Sequence, residues 1–382
     1  MKLTQFLWNP STYNRKLLGG LDLSCKYGGC TGKALGESDY CILHIDLPDD
    51  LESDEFAYIN NLKQQEVEKK KSNGDFNFKG VKLFEGNFNN INTPGDVIFT
   101  KTMITGVFDC SNSEIKGDFW FDQGIVDGHV FIENSLIGGS FSFYRGRIGG
   151  NLSFDETIIG KYAWFEELDV EGETSFNHSK IGASLSFKGS HIRENVSFYS
   201  AQIGGSAWFI GALLDGSTWF DLSEFKGGLN FRNAVFKDFK GQERACRTAK
   251  TIWERIGDRE KADYHFYHEM EAKRRQKPIF IRYPELIVQY PFGYGVHPSR
   301  LLFTFVGVMF CFALVFWVMG NSYSTDAFLE KLKFSFLTMI IPAYGVINAK
   351  TGLIGVFTII EAFIGAFTWP TFIVTFARKY MR

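Results

Sequence analysis

The feature that most constrains this chain is a repeat. Residues Phe88, Phe99, Cys110, Phe121, Ile132, Phe143, Phe154, Phe165, Phe176, Phe187, Phe198, Phe209, Phe220 and Phe231 follow one another at intervals of 11 without a slip. A second apolar series, from Ile104 through Ile115, Val126, Ile137, Ile148, Ile159, Val170, Ile181, Ile192, Ile203 and Leu214 to Phe225 and Phe236, is offset from the first by five. Apolar residues therefore recur at alternating spacings of five and six. Glycine often follows the second series (Gly138, Gly149, Gly160, Gly182, Gly204), and an apolar or small residue sits two before many of the phenylalanines, as at Leu152, Ala163, Leu185 and Val196. The repeat also accounts for much of the unusual total of 40 Phe.

An 11-residue period can drive a right-handed helical supercoil. The glycine density and the local alternation of Phe, Ile, Val and Trp exclude helix here. What remains is a solenoid of short parallel strands, each side of a coil supplying inward residues. On these residues the region resembles the pentapeptide-repeat family, which implies a right-handed quadrilateral β-helix. The extra residue in alternate units sets about 22 residues per coil, so the 149 residues from Phe88 to Phe236 make roughly seven coils. At roughly 4.8 Å per stacked strand the rod is about 30 Å long, with a phenylalanine ladder inside and ends that need caps.

The fold class expected is thus mixed, with four regions. Residues 1–75 hold a short Cys/His segment (25–44), an acidic stretch and a polar helix; 76–240 form the solenoid. Residues 241–299 read as a helical hairpin, broken at Gly257, whose aromatics Trp253, Tyr264, Phe266 and Tyr267 are candidates to cap the solenoid, followed by a membrane-proximal connector rich in Pro and Tyr. His265 and His268, three apart on one helix, read as packing or surface residues and not as a metal pair. Residues 300–382 are dominated by apolar stretches. The N-terminus lacks an apolar core followed by a cleavage site, so no secretory signal is expected and the N-terminal body is read as cytosolic.

Leu301 to Met319 is 19 residues without a charge, long enough to cross roughly 30 Å of hydrocarbon as a helix. Spans are expected at about 300–320 and 351–377. Between them, at about 326–341, lies an amphipathic helix too short and too charged to span. Basic residues flank the outer ends (Lys273, Arg274, Arg275, Arg300; Arg378, Lys379, Arg382), which places both termini in the cytoplasm of a two-span cell-membrane protein. Gly293-Tyr294-Gly295 precedes any span and is set aside as a filter.

The order span, short helix, irregular segment, span resembles the two-transmembrane pore module of the potassium-channel superfamily. The resemblance covers about 80 residues and is sharpest over Phe334 to Val346. Aligning Tyr344-Gly345 with the family's Tyr-Gly puts Thr338 at the end of a re-entrant pore helix, and Ile340, Ile341, Pro342 and Ala343 in the filter. It implies a homotetramer around one axis. The substitutions matter physically. A filter of stacked carbonyls needs glycine conformations that Ala343 resists, and Pro342 fixes its own backbone. Discrimination among monovalent cations is therefore expected to be weak. Glu361, with Gly365 as a hinge candidate one turn later, is the ionisable group well inside a predicted span. It either faces the pore, where an ionised ring favours cations, or hydrogen-bonds a neighbouring helix such as the pore helix.

Cys25, Cys30, Cys41 and His44 carry the sharpest chemical signal. Two short-spaced pairs around a glycine-rich loop suit four tetrahedral ligands of a closed, structural Zn²⁺ site, one per chain. Free or partly oxidised thiols are the alternative. Cys110, in the ladder, and Cys311, in the first span, read as inert.

With 41 basic and 43 acidic residues the net charge is −2, which argues against a nucleic-acid partner bound by phosphate neutralisation. Some pentapeptide-repeat proteins mimic DNA, but residues 76–240 carry 20 Asp and Glu against 14 Lys and Arg, too mild an excess for that role. No nucleophile–base set, Walker loop or dinucleotide fingerprint points to an enzyme. The function expected is an oligomeric ion channel in the lipid bilayer with a cytoplasmic repeat domain. The alternative is a membrane-anchored scaffold or interaction protein that does not conduct.

Overall fold

The structure is a computed structural model that describes residues 24–35, 38–319, 328–348 and 352–380. The N-terminal segment in which no secretory signal was read, Asp326 at the start of the expected short helix, and Arg382 lie outside them. The chain divides into two compact units, Met1–Ala262 and Asp263–Arg382.

The first unit is a β-solenoid. It has 29 two-residue strands, β1 (Lys82–Leu83) to β29 (Val235–Phe236), arranged in four parallel sheets of eight, seven, seven and seven strands. Each interior strand pairs with the fourth before it and the fourth after it in the chain, so that Leu152 lies between Val130 and Thr174. Two of the intervals read from sequence thus make one coil, and the stack runs about seven coils.

Both apolar series point inward and are buried. The phenylalanines form two columns, with rings one coil apart stacked face to face: Phe165 on Phe187 at 4.8 Å, Phe187 on Phe209 at 5.2 Å, and Phe176 on Phe198 at 5.0 Å. Rings of the two columns meet edge to face, as Phe165 does with Phe176 at 5.3 Å. Each buried ring contributes about 1.5–3 kcal/mol of transfer free energy, plus a smaller term for aromatic geometry. Where Cys110 interrupts a column, Phe108 fills the space, touching Phe88, Phe99 and Phe121.

Two kinds of corner alternate and explain the uneven spacing. Between strands such as β6 (Phe108–Asp109) and β7 (Glu114–Ile115) four residues turn the chain; between β7 and β8 (Phe119–Trp120) three do. Each four-residue corner has one residue with φ near +55°. The series runs from Asn90 to Asn233 at the same interval as the phenylalanines, twelve positions being non-glycine, with Gly189 and Gly211 completing it. The three-residue corners stack so closely that a Cβ on Gly182 would lie 2.0 Å from the carbonyl oxygen of Gly160. That contact is the reason for glycine after the second apolar series.

Helices close both ends of the stack. At the N-terminal end α1 (Asp54–Ser72), capped by Ser53, buries Phe56, Ile59, Lys63 and Val67. Its Gln64 and Lys71 side chains donate to the carbonyls of Glu85 and Asn87 on the edge of the first coil. At the other end α2 (Phe239–Ile256) starts from an Asp238 cap and stops at Gly257, which is left-handed at φ 87°. Trp253 lies on Gly228 and donates from Nε1 to the carbonyl of Leu229 at 2.6 Å, and Arg255 donates to the carbonyl of Phe225. The cap is thus Trp253. Tyr264, Phe266 and Tyr267 fall in the second unit, which begins at Asp263.

The second unit is helical. After α3 (Arg259–Arg275), short turns α4 (Ile279–Arg282) and α5 (Leu286–Gln289) lead to α6 (Pro298–Val318). Then come α7 (Phe328–Ile340), α8 (Pro342–Asn348) and α9 (Leu353–Tyr380). Helices α6 and α9 are long and apolar enough to cross a membrane, with mean hydropathies of 2.6 and 1.7. Helix α7, at 13 residues, reaches about 20 Å and is too short to cross. It packs against both.

Two outcomes test the solenoid. Phe187→Asp, which buries an unpaired charge in the ladder, is expected to cost more than about 4 kcal/mol and to unfold the stack, while Lys188→Ala on the surface changes it by less than about 0.5 kcal/mol. Leu222, 73% exposed and held at φ 58°, is a poor residue for a left-handed corner. Leu222→Asn should therefore raise stability by up to about 1 kcal/mol in thermal unfolding. A fall in Tm of that variant would contradict the corner geometry.

Candidate functional site

Cys25, Cys30, Cys41 and His44 come together on one short, irregular segment. Their four candidate ligand atoms all lie within 4.8 Å of one another. The closest pair, Cys41 Sγ and His44 Nδ1, is 3.0 Å apart, and Cys30 Sγ lies 3.7 Å from Cys41 Sγ, so these are thiols and not a disulfide. Local turns present them. Gly29, at φ 86°, tightens the loop between the first two cysteines, and the amides of His44 and Ile45 both bond back to the Cys41 carbonyl. Amides of Gly32 and Cys41 point at the sulfurs of Cys30 and Cys25, both at 3.3 Å, a geometry that favours thiolate.

The histidine is set up for coordination. Its Nε2–H donates to the Lys79 carbonyl at 2.9 Å, which assigns the proton to Nε2 and leaves the Nδ1 lone pair facing the sulfurs. Tyr27 stacks on the ring at 4.2 Å and in turn covers Gly80. Burial pushes the Cys30 thiol up to about 12 and raises Cys41, whereas backbone hydrogen bonds bring Cys25 down against its burial; a bound cation would hold all three sulfurs as thiolates. The donor set fits a single metal ion such as zinc. Bound by all four, such an ion would have a closed coordination sphere, the arrangement of a structural site.

One residue of this site was missed in the sequence. Lys63 is fully buried, and its Nζ donates to the carbonyls of Ile45 at 2.7 Å, Lys82 at 2.9 Å and Leu43 at 3.5 Å. It ties the metal-binding segment to the first coil. Burial pushes this amine down to about 7, against which three carbonyl acceptors favour the ammonium. The signal was present: Lys63 sits in the stripe Phe56, Ile59, Lys63, Val67, where an apolar residue is expected.

In the second unit the expected filter residues take a different form. Pro342, Ala343, Tyr344 and Gly345 lie in helix α8, following a break at Ile341 at the end of α7. Proline at a first helical position needs no amide partner, which is how this segment starts a helix in place of an extended strand. Gly345 packs on Thr338 so closely that a Cβ would lie 2.4 Å from its methyl, and Gly365 on α9 lies equally close to the Met339 backbone of α7. Ile340 ends α7. Glu361 is fully buried within one chain, its carboxyl in contact with Ser335 of α7, which is the helix-facing of the two arrangements considered from sequence. His268 is engaged with Glu271, 3.2 Å away, and His265 is buried without joining a metal group among the described residues.

No family model, curated protein or solved structure matches the chain. The β-solenoid, in which each short strand pairs in parallel with those one coil away, is consistent with a pentapeptide-repeat fold.

Purified protein is expected to carry one zinc per chain by elemental analysis, and Cys41→Ser to lose it. Absence of metal together with a mapped disulfide would refute the site. Lys63→Met keeps the volume but strands three carbonyls, and should cost about 1–3 kcal/mol while leaving the metal content of folded protein unchanged.

Proposed function

We propose that the chain is an ion channel subunit, working as a homotetramer in the cell membrane with its repeat domain and both termini in the cytoplasm. The observation that carries the reading is the packing of α7 between two apolar helices. A helix too short to cross lies against both spans, and its C-terminal end abuts α8 through Thr338 and Gly345. The carbonyl end of a helix carries partial negative charge, which favours cations nearby. Large apolar side chains stay exposed on one chain, among them Phe303, Val318, Ile347, Phe363 and Val374, a surface suited to lipid and neighbouring copies. The solenoid winds right-handed in this reading, its metal is Zn²⁺, and the protein has no catalytic chemistry of its own.

The ion pathway is weakly selective among monovalent cations. Helix α8 spends its amides and carbonyls along its own axis, so no row of carbonyls replaces an ion's hydration shell, and ions pass with water. The same helix favours a second reading, a membrane-anchored repeat protein that binds partners without conducting.

Reconstitution in planar bilayers decides between them. Currents whose reversal potential shifts little when sodium replaces potassium support the channel. Strong potassium selectivity would refute the pathway described, and silence from folded, inserted protein would leave the anchored scaffold. Gly345→Val, which drives a side chain into Thr338, should reduce current at least tenfold.

A further inference from the structure

Ser335 Oγ makes two contacts that a single hydroxyl hydrogen cannot serve equally. It donates to the carbonyl of Met309 on α6 at 2.9 Å, and it touches Glu361 Oε1 on α9. A carbonyl oxygen only accepts, so the Met309 contact is a hydrogen bond only while the serine hydrogen points to it. The Glu361 contact is then a hydrogen bond only if the carboxyl supplies its own proton. A carboxylate would instead set two acceptors against each other, and its second oxygen, Oε2, is buried without a partner. Among the described residues no basic group relieves it. The charged residues of the helices packed around it are Arg300 on α6, Glu330, Lys331 and Lys333 on α7, and Arg378 and Lys379 on α9, with Cys311, Tyr344 and Tyr380 as the other titratable groups. None of these hydrogen-bonds or pairs with Glu361 among the described residues. An unpaired carboxylate in such a place is far costlier than a neutral acid with an unmet carbonyl oxygen.

We propose that Glu361 is a proton-binding site: a neutral carboxylic acid that donates to Ser335, which donates to the Met309 carbonyl. This relay runs through α9, α7 and α6 and makes their packing depend on one proton. When the proton leaves, Ser335 has one hydrogen for two acceptors, and either its link to α6 or its link to α9 is lost. The relay is independent of whether the protein conducts.

Infrared difference spectra of the full chain in lipid, wild type minus Glu361→Gln at pH 7, test this directly. A protonated-carboxyl stretch present in wild type and absent from the variant is expected. In Ser335→Ala the band should persist at higher frequency, because the acid has lost its acceptor. A carboxylate band for Glu361 at pH 7 would overturn the proposal, and an unmoved acid band in Ser335→Ala would overturn the relay. If Glu361→Gln does not fold, titration of wild type carries the same test. The acid band must survive at pH 7, where exposed carboxyls with pKa values near 4 are ionised, and its absence there refutes the site.

Discussion

Parallel pairing of each coil with the next is the interaction on which the first unit depends. It satisfies the backbone, stacks the phenylalanine rings at about 5 Å, and repeats every side-chain direction. Everything else follows from keeping that register. The corners must alternate between four and three residues, one kind with a left-handed residue and the other with a glycine against the carbonyl below it. The ends must be closed, since the first and last coils present unpaired strand edges. Side chains do this closing: Lys63, Gln64 and Lys71 reach carbonyls of the first coil, and Trp253 and Arg255 reach carbonyls of the last.

The cysteine cluster belongs to that N-terminal closure. Residues 24–45 have too few apolar side chains for a core of their own, and they gain order from three directions. Thiols and imidazole converge for a metal, Lys63 holds the backbone from behind, and His44 bonds to Lys79 just before the first strand. The proton on His44 Nε2 does two jobs at once, fixing the tautomer for coordination and attaching the cluster to the solenoid. Loss of the ion would therefore loosen one end of the stack while leaving the middle coils intact, as expected where each coil touches only its neighbours.

What could be read in the sequence is what repeats or what is chemically rare. The solenoid was legible because one side-chain direction recurs fourteen times, and the Cys/His cluster because three cysteines and a histidine stand close in an otherwise ordinary segment. The left-handed corners were not, although they keep the interval of the phenylalanines. Lys101, Gln123, Glu156 and Leu222 occupy them as well as Asn90 and Asn112, so residue type does not announce the conformation; the surrounding coils impose it. Lys63 and Ser335 were missed for a related reason. Lys63 is a polar residue in an apolar stripe whose partners are backbone carbonyls, which leave no mark in a sequence, and Ser335 reaches the Met309 carbonyl besides touching Glu361. The segment Pro342 to Gly345 was read against an extended filter, whereas a proline at its first position and the close fit of Gly345 on Thr338 accommodate a helix.

The two units meet the same hydrogen-bonding requirement in different ways. In the first, the Lys71 bond to the Asn87 carbonyl is exposed, so its loss leaves that carbonyl to water and costs about a hydrogen bond. In the second, Ser335 and Glu361 are buried among α6, α7 and α9, and there a polar group is satisfied by its neighbours. Small residues such as Gly365, against the Met339 backbone, and polar contacts such as Ser335 with the Met309 carbonyl give this helix packing its specificity. With one serine hydrogen and two oxygens to serve, the number of protons at Glu361 ceases to be a property of the bulk pH alone. It is set by how closely the three helices approach, and any movement that separates α7 from α6 changes the affinity of that carboxyl for its proton.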